Sequence, residues 1–140
     1  MSEEATTPDL VSRARLLIDV FSRRDLDAVM TFFKPDAVWD LSAAGMETCA
    51  GVAAIRDLLE VWFGAYQELT VTAEKLLDLG NGVVFLAYHE DGRLLGSNAH
   101  IQQRPAQVVL YDGSLISRMT AYLDVEEARA AAERLAAERG

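Results

Sequence analysis

Residues 81–123 read NGVVFLAYHEDGRLLGSNAHIQQRPAQVVLYDGSLISRMTAYL. Apolar and polar positions alternate here with a period near two, the signature of strands. Val83–Glu90, Leu94–Tyr111 and Leu115–Leu123 read as three strands, with a fourth ahead of them at Leu69–Leu79. Asn81-Gly82, Asp91-Gly92 and Asp112-Gly113 separate them. Such pairs tolerate the positive φ that tight hairpin turns demand. The pattern predicts a four-stranded antiparallel meander. Pro105 removes a backbone donor inside the long third strand and predicts a bulge or bend there.

Upstream the period is helical. Thr7-Pro8-Asp9 reads as a helix start, and Leu10, Ala14, Leu17, Ile18 and Phe21 carry the apolar stripe to about Arg24. Asp25 caps a second, short helix through Leu26, Val29, Met30 and Phe33, which Pro35 stops. Asp36–Leu41 reads as a strand, Ser42–Gly45 as a loop and Glu47–Ala50 as a short strand. A third helix spans about Gly51 to Tyr66. Beyond the meander, Asp124 and Glu127 have capping-box spacing, and an Ala-rich, charged helix runs to about Glu138. Helices first and an antiparallel sheet afterwards predict an α+β fold. Three N-terminal helices pack in the concave face of a curved, mostly antiparallel sheet, forming a cone-shaped α+β barrel with a C-terminal helix added. Residues 7–139 are expected to form this single domain, with Met1–Thr6 disordered. The cone's lining is the default ligand site.

Hydrophobic residues make up 51% and charged residues 25%, a balance that supplies a core for a chain of 140 residues. The net charge of -9 disfavours nucleic acid and anionic lipid as partners. Arg13, Arg15, Arg23 and Arg24 read as the wet face of the first helix. The lone Cys49 has no internal disulfide partner and reads as a small, buried hydrophobe. With neither a signal peptide nor a membrane-length apolar run, a soluble cytoplasmic protein is expected.

The run Arg24-Asp25-Leu26-Asp27-Ala28-Val29, then Phe33, Asp36-Ala37-Val38-Trp39 and Gly51-Val52-Ala53-Ala54-Ile55 resembles the opening of SnoaL-like proteins. These belong to the nuclear-transport-factor-2-like superfamily. The ending is similar too: Asp112-Gly113 with Ile116, Met119-Thr120-Ala121-Tyr122-Leu123-Asp124 and Glu127-Ala128. The resemblance covers almost the whole chain and implies the cone fold. The superfamily holds ketosteroid isomerases, polyketide cyclases, limonene-epoxide hydrolases, dehydratases and domains without chemistry, so function rests on the site. The isomerases' tyrosine falls on Leu17, their base aspartate on Leu41 and their second aspartate near Ala106. The epoxide hydrolases' last-strand aspartate falls on Ala121. Neither chemistry is implied by these apolar residues. Asp40 stands one residue from the base position, where a bulge would turn it inward.

If the family's facing holds, Leu110, Val108, Ala106 and Arg104 pair with Leu115, Ser117, Met119 and Ala121 and line the cone. The face continues through Gln102, His100 and Asn98, opposite Val83, Phe85, Ala87 and His89. Trp39, Leu17, Trp62 and Tyr66 close the pocket, with Phe85, Met119 and Leu123 in its apolar end. Asn98, Gln102, Arg104 and His100 form the polar end. His100 titrates near neutrality and is the candidate base; Arg104 would stabilise an enolate. The plainer reading makes His100 a rim or buried histidine satisfied by Asn98 or a carbonyl. His89 beside Glu90 and Asp91 reads as an exposed hairpin tip. No compact metal-ligand spacing appears, and no cofactor is implied. The outer sheet face, with Val109, Ile116, Arg118, Thr120 and Tyr122, is left uncovered and predicts a homodimer through it.

These residues leave two readings. One is a cofactor-free cyclase, isomerase or dehydratase acting on a hydrophobic carbonyl compound. The other is a non-catalytic domain binding a small hydrophobic molecule. A third, a dimerisation module, would have its pocket filled by side chains.

Overall fold

The structure, a computed structural model, describes residues 9–140. Thr7, Pro8 and Met1–Thr6, for which expectations were drawn above, lie outside the described residues. Helix α1 (Leu10–Ser22) is capped by Asp9, whose carboxylate accepts from the Ser12 backbone N–H at 3.1 Å. That contact satisfies a donor the first turn leaves open. Arg24 then takes a φ of 55°, a left-handed conformation that costs an L residue roughly 1–2 kcal/mol. It is not part of a wet face. Its guanidinium donates to the carbonyls of Phe63, Tyr66 and Gln67 at 3.1, 2.5 and 3.3 Å. Arg24 thus ties the end of α1 to the end of α3 (Val52–Ala65).

The short α2 (Leu26–Met30) begins at Asp25 as predicted, but ends before Phe33. Strand β1 (Phe33–Asp40) starts earlier than the expected Asp36, because Phe33 pairs with Ile116. Pro35 sits within β1, where the pairing is irregular between Phe33 and Val38 and no donor is needed. A single 3-10 turn (Ser42–Ala44) and β2 (Cys49–Ala50) lead into α3.

The remaining strands are β3 (Tyr66–Gly80), β4 (Val83–Leu94), β5 (His100–Gln103), β6 (Ala106–Asp112) and β7 (Leu115–Tyr122). They form one open sheet ordered β2-β1-β7-β6-β4-β3, with β5 paired to β4. The β1–β7 pair is parallel and the others are antiparallel. Asn81 and Gly82 both take positive φ and make the expected β3–β4 hairpin. Pro105 breaks what was read as one strand into β5 and β6, the expected bend.

Asp91-Gly92 is not a turn. β4 runs straight through it, pairing Gly92 with Leu69 on one side and Ile101 on the other. The glycine answers a different need. A Cβ built there would stand 2.7 Å from Tyr66 Cδ1, so the position admits the tyrosine ring against the sheet. The chain reverses between Leu94 and His100 instead.

The facing of β4 and β6 is opposite to that expected. Ser117 is an extra residue in β7: Tyr111 pairs with Ile116, while Leu110 pairs with Arg118. The turn lies at Gly113-Ser114 and pairs Asp112 with Leu115, two residues from the expected Leu110, and the bulge shifts all later pairs by one more, so Val109 meets Met119 and Gln107 meets Ala121. Val84, Leu86, Tyr88, Val109, Tyr111 and Ile116 pack inward with the N-terminal helices. Val83, Phe85, Ala87, Ala106 and Val108 face outward, under Ala128, Ala132 and Ala136 of α4 (Val125–Arg139). Val109 and Ile116 are therefore core residues, and α4 covers part of the outer face expected to be bare. No helix among the described residues is long and apolar enough to cross a membrane.

Candidate active site in the cone

The inner sheet face, α3 and the 3-10 turn enclose a cavity of about 440 Å³, a size suited to a small molecule. Its buried wall carries one hydrogen-bonded chain. Trp39 Nε1 donates to Gln107 Oε1 at 3.2 Å, and Gln107 Nε2 donates to the Tyr88 hydroxyl at 2.9 Å. The direction is fixed by chemistry. An indole N–H only donates, so it holds the amide oxygen, and the amide nitrogen must face Tyr88. The Tyr88 oxygen accepts, leaving its own proton free to be donated. Burial pushes this hydroxyl above the ordinary tyrosine range, so it stays protonated.

Glu90 follows Tyr88 on the same face of β4, about 7 Å further along the strand. It lines the cavity and is only 5% exposed. No described side chain donates to it or pairs with it, and burial pushes its carboxyl up to about 7. Gln103 is directly across from it on β5 and lines the cavity. A carboxyl poised near neutrality thus sits beside a hydroxyl donor in an apolar chamber.

Of the residues expected at the site, Trp39, Trp62, Tyr66 and Leu123 line this cavity. Leu17 and Met119 line a separate recess of about 20 Å³ behind Tyr88 and Gln107. Phe85 and Ala106 are turned away, beneath α4. The expected polar end is not in the cone. His100 lies on the edge strand β5, its side chain 59% exposed and paired with Asp91. Arg104 is exposed, 3.3 Å from Glu74. Asn98 lies in the exposed turn before β5, and Gln102 points away from the cavity that Gln103 lines.

Asp40 is held elsewhere. Its carboxylate accepts from the Ser42 hydroxyl at 2.6 Å and backbone N–H at 3.0 Å. It also meets the Thr48 hydroxyl at 3.3 Å and Arg118 at 2.8 Å. The Ser42 bonds, with Arg118, hold it down at about 2. It is a fixed anion that braces the 3-10 turn.

The sequence reading missed Tyr88, Glu90, Gln103 and Gln107. The signal was a lone polar residue on an apolar face: Glu90 after Leu86 and Tyr88, and Gln107 before Val109 and Tyr111. Reading Asp91-Gly92 as a turn moved Glu90 to a hairpin tip.

The family model of the SnoaL-like domain matches residues 14–132. The chain belongs to the SnoaL-like family. Among solved structures, this SnoaL-like chain is similar to an NTF2-like protein of unknown function from Burkholderia pseudomallei. The TM-score is 0.68 at 15% identity, covering 83% of this chain and 91% of that one. It is also similar to a hypothetical protein with a ketosteroid isomerase-like fold from Catenulispora acidiphila, solved in complex with trimethylamine. There the TM-score is 0.69 at 19% identity, covering 89% and 92%. A third is SalBIII, an epoxide hydrolase/cyclase-like enzyme with a role in pyran ring formation in the polyether salinomycin. Its TM-score is 0.70 at 17% identity, covering 81% and 88%. At these identities the likeness is one of fold. Among curated proteins, none matches the sequence.

Proposed function

We propose that this SnoaL-like protein catalyses proton transfer on a hydrophobic carbonyl compound, with Glu90 as the base. The observation that carries this is Glu90 itself, a buried carboxyl without a described counter-charge, two residues from a hydroxyl with a free proton. The Glu90 carboxylate takes a proton from the carbon beside the carbonyl. The C–H electron pair moves onto the carbonyl oxygen, and the enolate accepts a hydrogen bond from Tyr88. Glu90 then returns the proton to another carbon, or the enolate carbon attacks a second carbonyl carbon in the same molecule, whose C=O π pair moves onto its oxygen, and that oxygen takes the proton from Glu90. No cofactor enters either step. The roles expected of His100, Arg104 and Asp40 pass to Glu90 and Tyr88. One structural relative, SalBIII, is described as an epoxide hydrolase/cyclase-like enzyme, so the fold carries an enzyme in at least that protein.

The test is exchange of α-hydrogens of methyl ketones in heavy water, followed by NMR. The wild-type protein is expected to accelerate exchange. Glu90→Gln should abolish the acceleration, and Tyr88→Phe should lower it about 100-fold or more. The apolar lining also supports a second reading, a domain that binds small hydrophobic molecules without turnover. Ketone binding with exchange no faster than in free solution would select that reading.

A further inference from the structure

Three of the large apolar side chains exposed among the described residues stand on the lip of the cavity. Met46 is 51% exposed, Val61 74% and Leu123 65%, and all three line the opening. They come from separate places: the loop after the 3-10 turn, helix α3 and the end of β7. A lone exposed leucine needs no explanation. Three apolar groups from distant parts of the chain around one opening do. The polar groups Tyr88, Glu90 and Gln107 lie at the buried end. Gln103, with its amide, is the one exposed polar residue of the lining, and the rest of the exposed lining is apolar, so polarity falls from the interior outward on the side of Met46, Val61 and Leu123.

We propose that the ligand is an amphiphile with a carbonyl head at Tyr88 and Glu90 and an apolar tail that leaves through the mouth across Met46, Val61 and Leu123. The head assignment rests on the proton-transfer reading above. The tail assignment rests on the lip alone. A ligand confined to the chamber leaves these side chains in water. A tail crossing them is desolvated along its length, and each added methylene tightens binding about fourfold.

The probes are straight-chain methyl ketones from hexanone to tridecanone, titrated by calorimetry into wild-type protein, Val61→Asp and Leu123→Asp. Both positions are exposed, so the fold tolerates the charge. Wild-type affinity should climb to the longest ketone. The two variants should bind short ketones as wild type does and lose at least tenfold on the longest. A plateau after the first few members, an equal loss at every length, or no binding by any ketone would overturn the proposal. So would a wild-type dimer that either variant dissolves in light scattering, which would give the lip to a second copy. Exchange data separate the two proposals. Length-dependent binding without α-exchange defeats the base assignment and keeps the tail. Exchange on short ketones with an affinity plateau does the reverse.

Discussion

Asp40 is offered the Ser42 amide and hydroxyl, the Thr48 hydroxyl and the Arg118 guanidinium, and stays ionised down to about pH 2. Among the described residues Glu90 is offered no such partner, and burial pushes it up to about 7. The protein thus spends hydrogen bonds on a carboxylate outside the cone and withholds them from the one inside. A base must be deprotonated to act, so kcat/KM for α-proton transfer should rise with pH through a single ionisation near 7. Tyr88 stays protonated well above that range, so the rise should level off and not turn over below pH 9. A profile flat between pH 5 and 9 would remove Glu90 from the chemistry. Glu90 is marked in the sequence only as a polar residue ending the alternation of Leu86 and Tyr88. It becomes legible only once β4 is known to continue beyond it, because the same residue at a hairpin tip would be solvated and ordinary.

At the scale of elements, β4 carries its site because it does not turn at Gly92. The hairpin signals at Asn81-Gly82 and at Gly113 were legible because a turn is a local demand on φ, although the second turn lies at Gly113-Ser114, one residue later than its dipeptide suggests. Gly92 answers to Tyr66, which folding brings to it from the end of α3, so the dipeptide alone misleads. Gly92→Ala should push the Tyr66 ring off the sheet and into the chamber. We expect bulky ligands to lose about tenfold in affinity and the smallest to be little changed, as read by calorimetry; equal losses across sizes would refute this role. The facing of β4 and β6 was illegible for two further reasons. Both faces are apolar, one under the N-terminal helices and one under α4, so alternation carries no direction. The bulge at Ser117 then reverses a register counted from the turn. Ala132 is wholly buried between α4 and the sheet. Ala132→Asp should destabilise the fold by about 3 kcal/mol or more in urea unfolding, since it buries an unpaired charge. A change below 1 kcal/mol would mean that α4 detaches freely.

For the whole molecule, the site is a source of instability that depends on pH. Glu90 binds its proton more tightly in the folded chain than at its ordinary value of 4.5. Between about 4.5 and 7 the folded state therefore holds a proton the unfolded state lacks, and stability falls as pH rises through that window. The shift corresponds to a loss on the order of 3 kcal/mol, complete above about pH 7. Glu90→Gln should remove this slope. The variant should match wild type at pH 4 and exceed it at pH 8 in denaturant midpoints. Parallel behaviour of the two proteins across that range would show that burial does not hold the carboxyl neutral. The outlines of the fold, helices in a curled sheet with a bend at Pro105, were legible because periodicity and turn chemistry act over short distances. The expectation of a dimer came from an apolar outer face thought to be bare, and α4 now accounts for part of that face.

Trp39 and Trp62 are the only tryptophans in the sequence, and both stand in the wall of the cavity with ring centroids 6.5 Å apart. All indole fluorescence of the protein therefore originates at the site. Anything that enters, water included, changes the surroundings of both emitters at once. The molecule reports its own occupancy optically, with no label attached, and a compound library can be screened on the unmodified chain by the colour of its emission.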